Sequence, residues 1–168
     1  MRRAPALALS ALAWIVGVPL VHGAIPWALS LVGPRFGWSG GGPSLANGLG
    51  LIPLALGAAL LAWVAGTGLA RVGELPETLD VNWQPKLFLA NGPYTYTRNP
   101  MYVGELGLWL GWALWFGSPL VAGGAAVLFA AMTRAIRREE RDLTARFADS
   151  YRQYLDAVPR WVGRMRWQ

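Results

Sequence analysis

The sequence predicts an all-α integral membrane protein, with about four transmembrane helices and an amphipathic C-terminal helix, and three observations carry that expectation. Hydrophobic residues make up 54% of the chain and charged residues only 14%, against roughly 25% charged in soluble domains. The apolar residues come in blocks long enough to cross a bilayer. Several of the ten Trp stand near block ends, as in an interfacial aromatic belt.

Length and composition set further bounds. The 168 residues fit one domain, 1–168. With no Cys, a disulfide framework, a thiolate metal site and a cysteine nucleophile are excluded. The single His22 leaves no multi-histidine metal site and no conventional triad, so no metal is expected. The net charge of +6 comes from cations that flank apolar blocks, which fits anionic lipid headgroups better than nucleic acid.

Residues 1–70 hold the first two spans. Arg2 and Arg3 precede an apolar run over 4–32, too long for a signal-peptide core and without a convincing cleavage site. Pro19 and Pro26 are expected to kink or interrupt this run, as one bent span or a broken one with a re-entrant piece. His22 within it reads as bonded to a neighbouring backbone carbonyl, with a ligand or proton-relay role as the alternative. Residues 33–47, rich in Gly, Pro and Ser, read as an external loop. Residues 48–70 form the second span, and Gly50, Gly57, Gly66 and Gly68 give it a small-residue surface for close helix packing.

Residues 71–99 form a polar connection whose length suggests function, and whose Trp83, Leu87, Phe88 and Leu89 suggest packing back on the helices. A helical hairpin follows over 100–133. Asn99 and Pro100 are a favoured N-cap and first helical residue, and Gly117-Ser118-Pro119 marks the turn. Residues 134–158 turn charged yet keep helical periodicity. Ile136, Glu140, Leu143, Phe147, Tyr151, Tyr154 and Val158 share one face; Arg138, Arg141, Asp142, Asp149, Arg152 and Asp156 share the other. This helix stops at Pro159.

Four spans place both termini and residues 71–99 on one side, together with every cation except Arg35. The positive-inside rule makes that side cytoplasmic, in the cell inner or plasma membrane. Two features then converge on one surface. The start of the third span offers free amides and the positive end of its dipole to an anionic group, with Arg98 beside it and Tyr94, Tyr96 and Tyr102 nearby. The C-terminal helix brings Glu139 and Glu140. Glu140 lies inside the apolar stripe and is expected to have a partner. Glu105, one turn into the third span, is expected to pair with Arg98 or to line the site.

Gly92-Pro93-Tyr94-x-x-x-Arg98-Asn99-Pro100-Met101-Tyr102-x-Gly104 resembles the signature of the membrane methyltransferase family that contains isoprenylcysteine carboxyl methyltransferases and phospholipid N-methyltransferases. The second motif is present as Arg138-Glu139-Glu140-x-x-Leu143-x-x-x-Phe147-x-x-x-Tyr151-x-x-Tyr154-x-x-x-Val158-Pro159-Arg160. The resemblance covers roughly 76–161. It implies an S-adenosyl-L-methionine-dependent enzyme with an all-helical fold and a cytoplasmic-side cofactor site closed by the C-terminal helix. The implied cofactor contacts are Lys86, Leu87, Phe88, Leu89, Tyr94, Asn99, Pro100, Met101, Tyr102, Glu139 and Glu140. Two departures stand out: Asn99 where the family most often has His, which removes any acid–base role there, and Ala148 where a Gly is frequent.

The implied reaction is an in-line displacement that depends on positioning and on excluding water. Arg98, Arg134 or Arg137 can orient an anionic acceptor, and Arg98, Glu140 and Arg134 are the candidate catalytic residues. A carboxylate or thiolate acceptor needs no base, whereas an amine must first lose its proton. The expected acceptor is amphiphilic or lipidated and enters from the bilayer. Isoprenylcysteine-type carboxyl methylation, phospholipid N-methylation and a non-catalytic membrane scaffold are the readings to separate.

Overall fold

The computed structural model of the chain describes residues 8, 9, 11–71 and 89–163. Lys86, Leu87, Phe88 and most of the 71–99 connection lie outside the described residues. Three helices are long and apolar enough to cross a membrane: α1, Ile15–Val32; the α2–α3 segment, Leu45–Ala70; and α5, Pro119–Ala157. Within the second, a short α2 (Leu45–Gly48) precedes α3 (Leu51–Ala70). Between α3 and α5 runs α4, Pro100–Phe116, of 17 residues. At 1.5 Å per residue it is about 25 Å long, which makes it the shortest candidate for a fourth span. The outward faces carry Leu31, Leu56, Leu110, Val127 and Phe129, all exposed, as a surface solvated by lipid requires.

Over residues 11–32 the first apolar run is not broken. It stays helical by widening into two π-turns, Ala13–Gly17 and Leu20–Ala24, the second entered from Pro19. Such turns absorb a proline without ending the helix.

Backbone contact between small residues joins α3 to α4. A Cβ on Gly57 would lie 2.6 Å from the Gly104 carbonyl oxygen, and one on Gly111 would lie 2.8 Å from the Gly50 carbonyl. Hence Gly50 and Gly57 pack as expected, but a Cβ on Gly66 or Gly68 would meet none of the described residues within 4 Å. They lie beyond the last close crossing, where the helices have nothing more to exchange.

Residues 33–47 dock rather than hang free. A two-residue hairpin, β1 (Trp38–Ser39) with β2 (Gly42–Pro43), leads into the Ser44–Asn47 capping box of α2. The Asn47 amide donates to the Phe36 carbonyl (3.1 Å) and to the Leu114 carbonyl (2.9 Å), tying this loop to the end of α4. There Gly117, at φ +55°, ends α4, and Ser118 caps α5 through its bond from the Val121 amide.

The C-terminal helix is not a separate element. It continues α5, whose apolar part ends at Thr133, and it breaks at Ala148 (φ 45°, ψ −120°). The expected stripe is otherwise kept, with Ile136, Leu143, Tyr151, Tyr154 and Val158 buried and the opposite charged face exposed. The break lets the last turns bend back, and the Ser150 hydroxyl donates to the Phe147 carbonyl across it (2.7 Å). An L-residue held at positive φ costs on the order of 1–3 kcal/mol. Ala148→Gly is therefore expected to raise stability by about 1 kcal/mol, seen as a higher Tm in detergent. A lower Tm, the usual effect of Gly inside a regular helix, would show that the break is not strained.

Candidate active site

Gly92 sits at φ +59° and opens a 3-10 turn, Gly92–Thr95. The turn is pinned from both sides. Tyr96 packs its ring 6.0 Å from Trp63 of α3, and the Tyr154 hydroxyl of the bent tail donates to the Tyr94 carbonyl (2.8 Å). The Tyr94 ring joins a cluster with Leu143, Tyr151, Tyr154 and Val158, so it is a packing group as well as a candidate ligand contact. Burial is the main cause that raises the Tyr154 and Tyr94 hydroxyls above the ordinary tyrosine range and pushes Tyr151 up to about 12. At neutral pH these hydroxyls therefore stay protonated, as the Tyr154 donor role requires.

The centre of the site is a strut of three charges. Glu140 lies 3.2 Å from Arg98 Nη1 and 2.6 Å from Arg160 Nη2, and Arg160 Nε also donates to it at 3.1 Å. Along a straight helix Glu140 and Ala157 would be about 25 Å apart. Only the bend at Ala148 and the turn after Val158 bring Arg160 back. Backbone bonds lock the return: the Arg98 amide donates to the Pro159 carbonyl (2.9 Å), and the Thr97 hydroxyl donates to the Arg160 carbonyl (3.1 Å). The bond to Glu140 is the largest cause that raises the Arg160 guanidinium further above its ordinary range, so it remains a cation.

Several expected roles change. Asn99 stands at the start of α4, but its side chain makes no cap; its amide donates to the Arg160 carbonyl (2.9 Å). Asn99 is thus a fastener for the tail. Arg98 pairs with Glu140 and not with Glu105, because Glu105 turns toward α1, 3.7 Å from His22. His22 itself is not bonded through its ring to a backbone carbonyl; its Nδ1 accepts the Trp109 indole N–H (3.1 Å). Arg134 is exposed and reaches the Ala130 carbonyl of its own helix at 3.5 Å; no contact among the described residues joins it to Arg98 or Glu140. Arg160, quoted in the second motif but given no role, is the partner that Glu140 demanded. A carboxylate inside an apolar stripe needs a cation, and Arg160 is the first one after the helix stop.

Which groups are left to hold a ligand? Arg98 Nε is buried and has no hydrogen-bond partner among the described residues, a condition that costs about 1–3 kcal/mol until something accepts from it. Pro100 begins α4 with no side-chain cap over it. Met101 and Tyr102 are half-buried, as is Leu89. Glu139 is exposed, and its charge adds to burial in raising the Tyr94 hydroxyl above its ordinary range. Two cavities flank the strut. One, of about 350 Å³, is lined by Arg98, Leu155, Val158 and Pro159; the other, of about 570 Å³, is lined by Arg137, Arg141, Thr144 and Arg152 together with Glu140 and Arg160. Among the described residues no group of His, Asp or Glu is arranged to hold a metal ion.

An uncharacterized protein of Haemophilus influenzae is 36% identical over 63 residues, which is 37% of this chain and the whole of that relative. No solved structure matches. The profile of the phospholipid methyltransferase family matches residues 53–150, a stretch that contains the glycine seam apart from Gly50, the Gly92–Thr95 turn, the start of α4 and Glu140. The chain therefore belongs to the phospholipid methyltransferase family.

Proposed function

We propose that the protein is an S-adenosyl-L-methionine-dependent methyltransferase acting on an amphiphilic acceptor at the cytoplasmic face of the cell inner or plasma membrane. The observation that carries this reading is the buried Arg98 Nε, without a partner among the described residues, beside the uncapped start of α4; the exposed Glu139 lies next to the Glu140 that Arg98 binds. Such a pair suits a ligand that carries a carboxylate at one end and hydroxyls at the other. In this account Arg98 and the α4 amides hold the carboxylate, and Glu139 accepts from the hydroxyls. Tyr94, Pro100, Met101 and Tyr102 line the space between, and Leu89 with the preceding Lys86, Leu87 and Phe88 wraps the outside. Glu140 holds the wall together, with each of its oxygens engaged by a guanidinium.

S-adenosyl-L-methionine, when bound, supplies an electrophilic methyl group on a sulfonium. The chain's part is to fix the acceptor against that carbon and to exclude water. Membership of the phospholipid methyltransferase family supports a phospholipid headgroup as acceptor over an isoprenylcysteine-type carboxylate.

Calorimetric titration of S-adenosyl-L-methionine into the purified protein in phosphatidylglycerol nanodiscs tests the cofactor claim. Saturable binding is expected. Glu139→Gln, on an exposed side chain, is expected to leave Tm unchanged and to weaken binding about tenfold, ~1.4 kcal/mol; Tyr94→Phe keeps the packed ring and controls for folding. Absence of heat in the intact protein would favour a non-catalytic scaffold, and full affinity in Glu139→Gln would remove that residue from the site.

A further inference from the structure

The chain's single histidine and the one acidic residue of its apolar helices, Glu105, stand together below the candidate site. Pro26 has no N–H to give the carbonyl four residues earlier, which belongs to His22. The Trp112 indole donates to that carbonyl instead (2.6 Å), and the Trp109 indole donates to His22 Nδ1 (3.1 Å). A ring whose Nδ1 accepts carries its proton on Nε2, and Nε2 is the atom 3.7 Å from the Glu105 carboxylate. The π-turn Leu20–Ala24 that presents His22 is a local departure of the kind found at functional positions.

The two indole bonds suffice to clamp α1 to α4, so a purely structural role does not explain Glu105. Its carboxylate accepts no hydrogen bond within 3.5 Å from the described residues, and 14% of its side chain stays accessible. An intramembrane carboxylate left in that state is expensive and marks function. Glu105 lies five residues beyond Pro100, about 7.5 Å along α4 from its first residue. Between the levels, one turn before Glu105 on the same helix, stands the half-buried Tyr102. The other neighbouring elements, α3 and the apolar part of α5, contribute no titratable side chain.

We propose that Glu105 is the proton acceptor of the site on its bilayer side, with His22 as the positioning residue whose tautomer Trp109 fixes. The acceptor is then a primary or secondary ammonium headgroup rising from the lipid. Its N–H proton passes to the Glu105 carboxylate and leaves a neutral amine. The nitrogen lone pair forms the new N–C bond as the C–S bond breaks and the sulfur keeps the bonding electrons. The proton held on Glu105 leaves to water through the accessible part of its side chain. This inference rests on the methyl-transfer reading.

Two measurements on the protein in nanodiscs test it. In the first, methylation of phosphatidylethanolamine is followed against pH. Glu105→Gln is expected to lower kcat about 100-fold at pH 7 and to recover as pH approaches the amine's own pKa, about 10, with calorimetric cofactor affinity unchanged. His22→Phe should follow it in part, and His22→Gln, which keeps a donor facing Glu105, should restore activity. In the second, 15N-histidine labelling reports His22 alone. Nδ1 is expected to be unprotonated, and its signal to shift when phosphatidylethanolamine replaces phosphatidylglycerol, a response lost in Glu105→Gln. Wild-type kcat and pH profile in Glu105→Gln, or a histidine signal indifferent to phosphatidylethanolamine, would overturn the proposal. Lack of cofactor binding by the intact protein would instead overturn the functional reading, and the histidine experiment remains readable in that case.

Discussion

Glu140→Ala is expected to unfold the bent tail and to abolish activity. The substitution leaves Arg98 charged, with its side chain only 12% exposed and no other carboxylate of the described residues in contact. Breaking a buried ion pair from one side costs about 3–5 kcal/mol. The lower end applies here, because Arg160 is 35% exposed and can rehydrate. Limited proteolysis should then cut within the last turns of α5 while the helical core stays intact. A double-mutant cycle with Arg98→Ala sharpens the test. The double variant should be less destabilised than the sum of the two singles, and plain additivity would show that the strut carries no coupling.

Gly57→Ala is expected to destabilise the whole protein by about 1–3 kcal/mol, the usual range for overpacking. Its added carbon meets backbone on both sides, 2.6 Å from the Gly104 carbonyl and 3.0 Å from the Leu108 amide nitrogen, so no rotamer change relieves it. Gly66→Ala on the same helix meets nothing within 4 Å and should be neutral or slightly stabilising by helix propensity. Equal unfolding midpoints for the two variants in a detergent titration would mean that α3 and α4 do not meet along this seam. Because α4 carries Tyr102 and Glu105 and starts two residues after Arg98, the seam also sets the depth of the site.

How much of this was legible in the chain depends on the kind of signal. Hydropathy blocks and the Gly-Ser-Pro turn announce the helices, since a bilayer demands length and a reversal demands special residues. The amphipathic stripe announces the buried face of the C-terminal helix, and the position of Glu140 in that stripe announces a missing cation. The identity of the cation was not legible. Arg160 lies 20 residues away, and only the reversal at Ala148, an ordinary helix former, brings it close. The Asn99 side chain misleads for a related reason: its local preference for capping yields to a carbonyl that the returning tail supplies. The His22–Trp109 bond joins residues far apart in sequence, and no periodicity encodes it. Pro26 was legible as an interruption, but its effect, a freed carbonyl taken up by Trp112, was not.

The central claim is that a membrane-embedded site transfers a methyl group to a lipid-like acceptor. Its most direct test is incubation of the purified protein with methyl-labelled S-adenosyl-L-methionine in vesicles of phosphatidylglycerol and phosphatidylethanolamine, followed by separation of lipid from water-soluble material. The account predicts label in the phosphatidylethanolamine-derived fraction and none there with Glu140→Ala. Label that never enters the lipid phase, despite saturable cofactor binding, would contradict it.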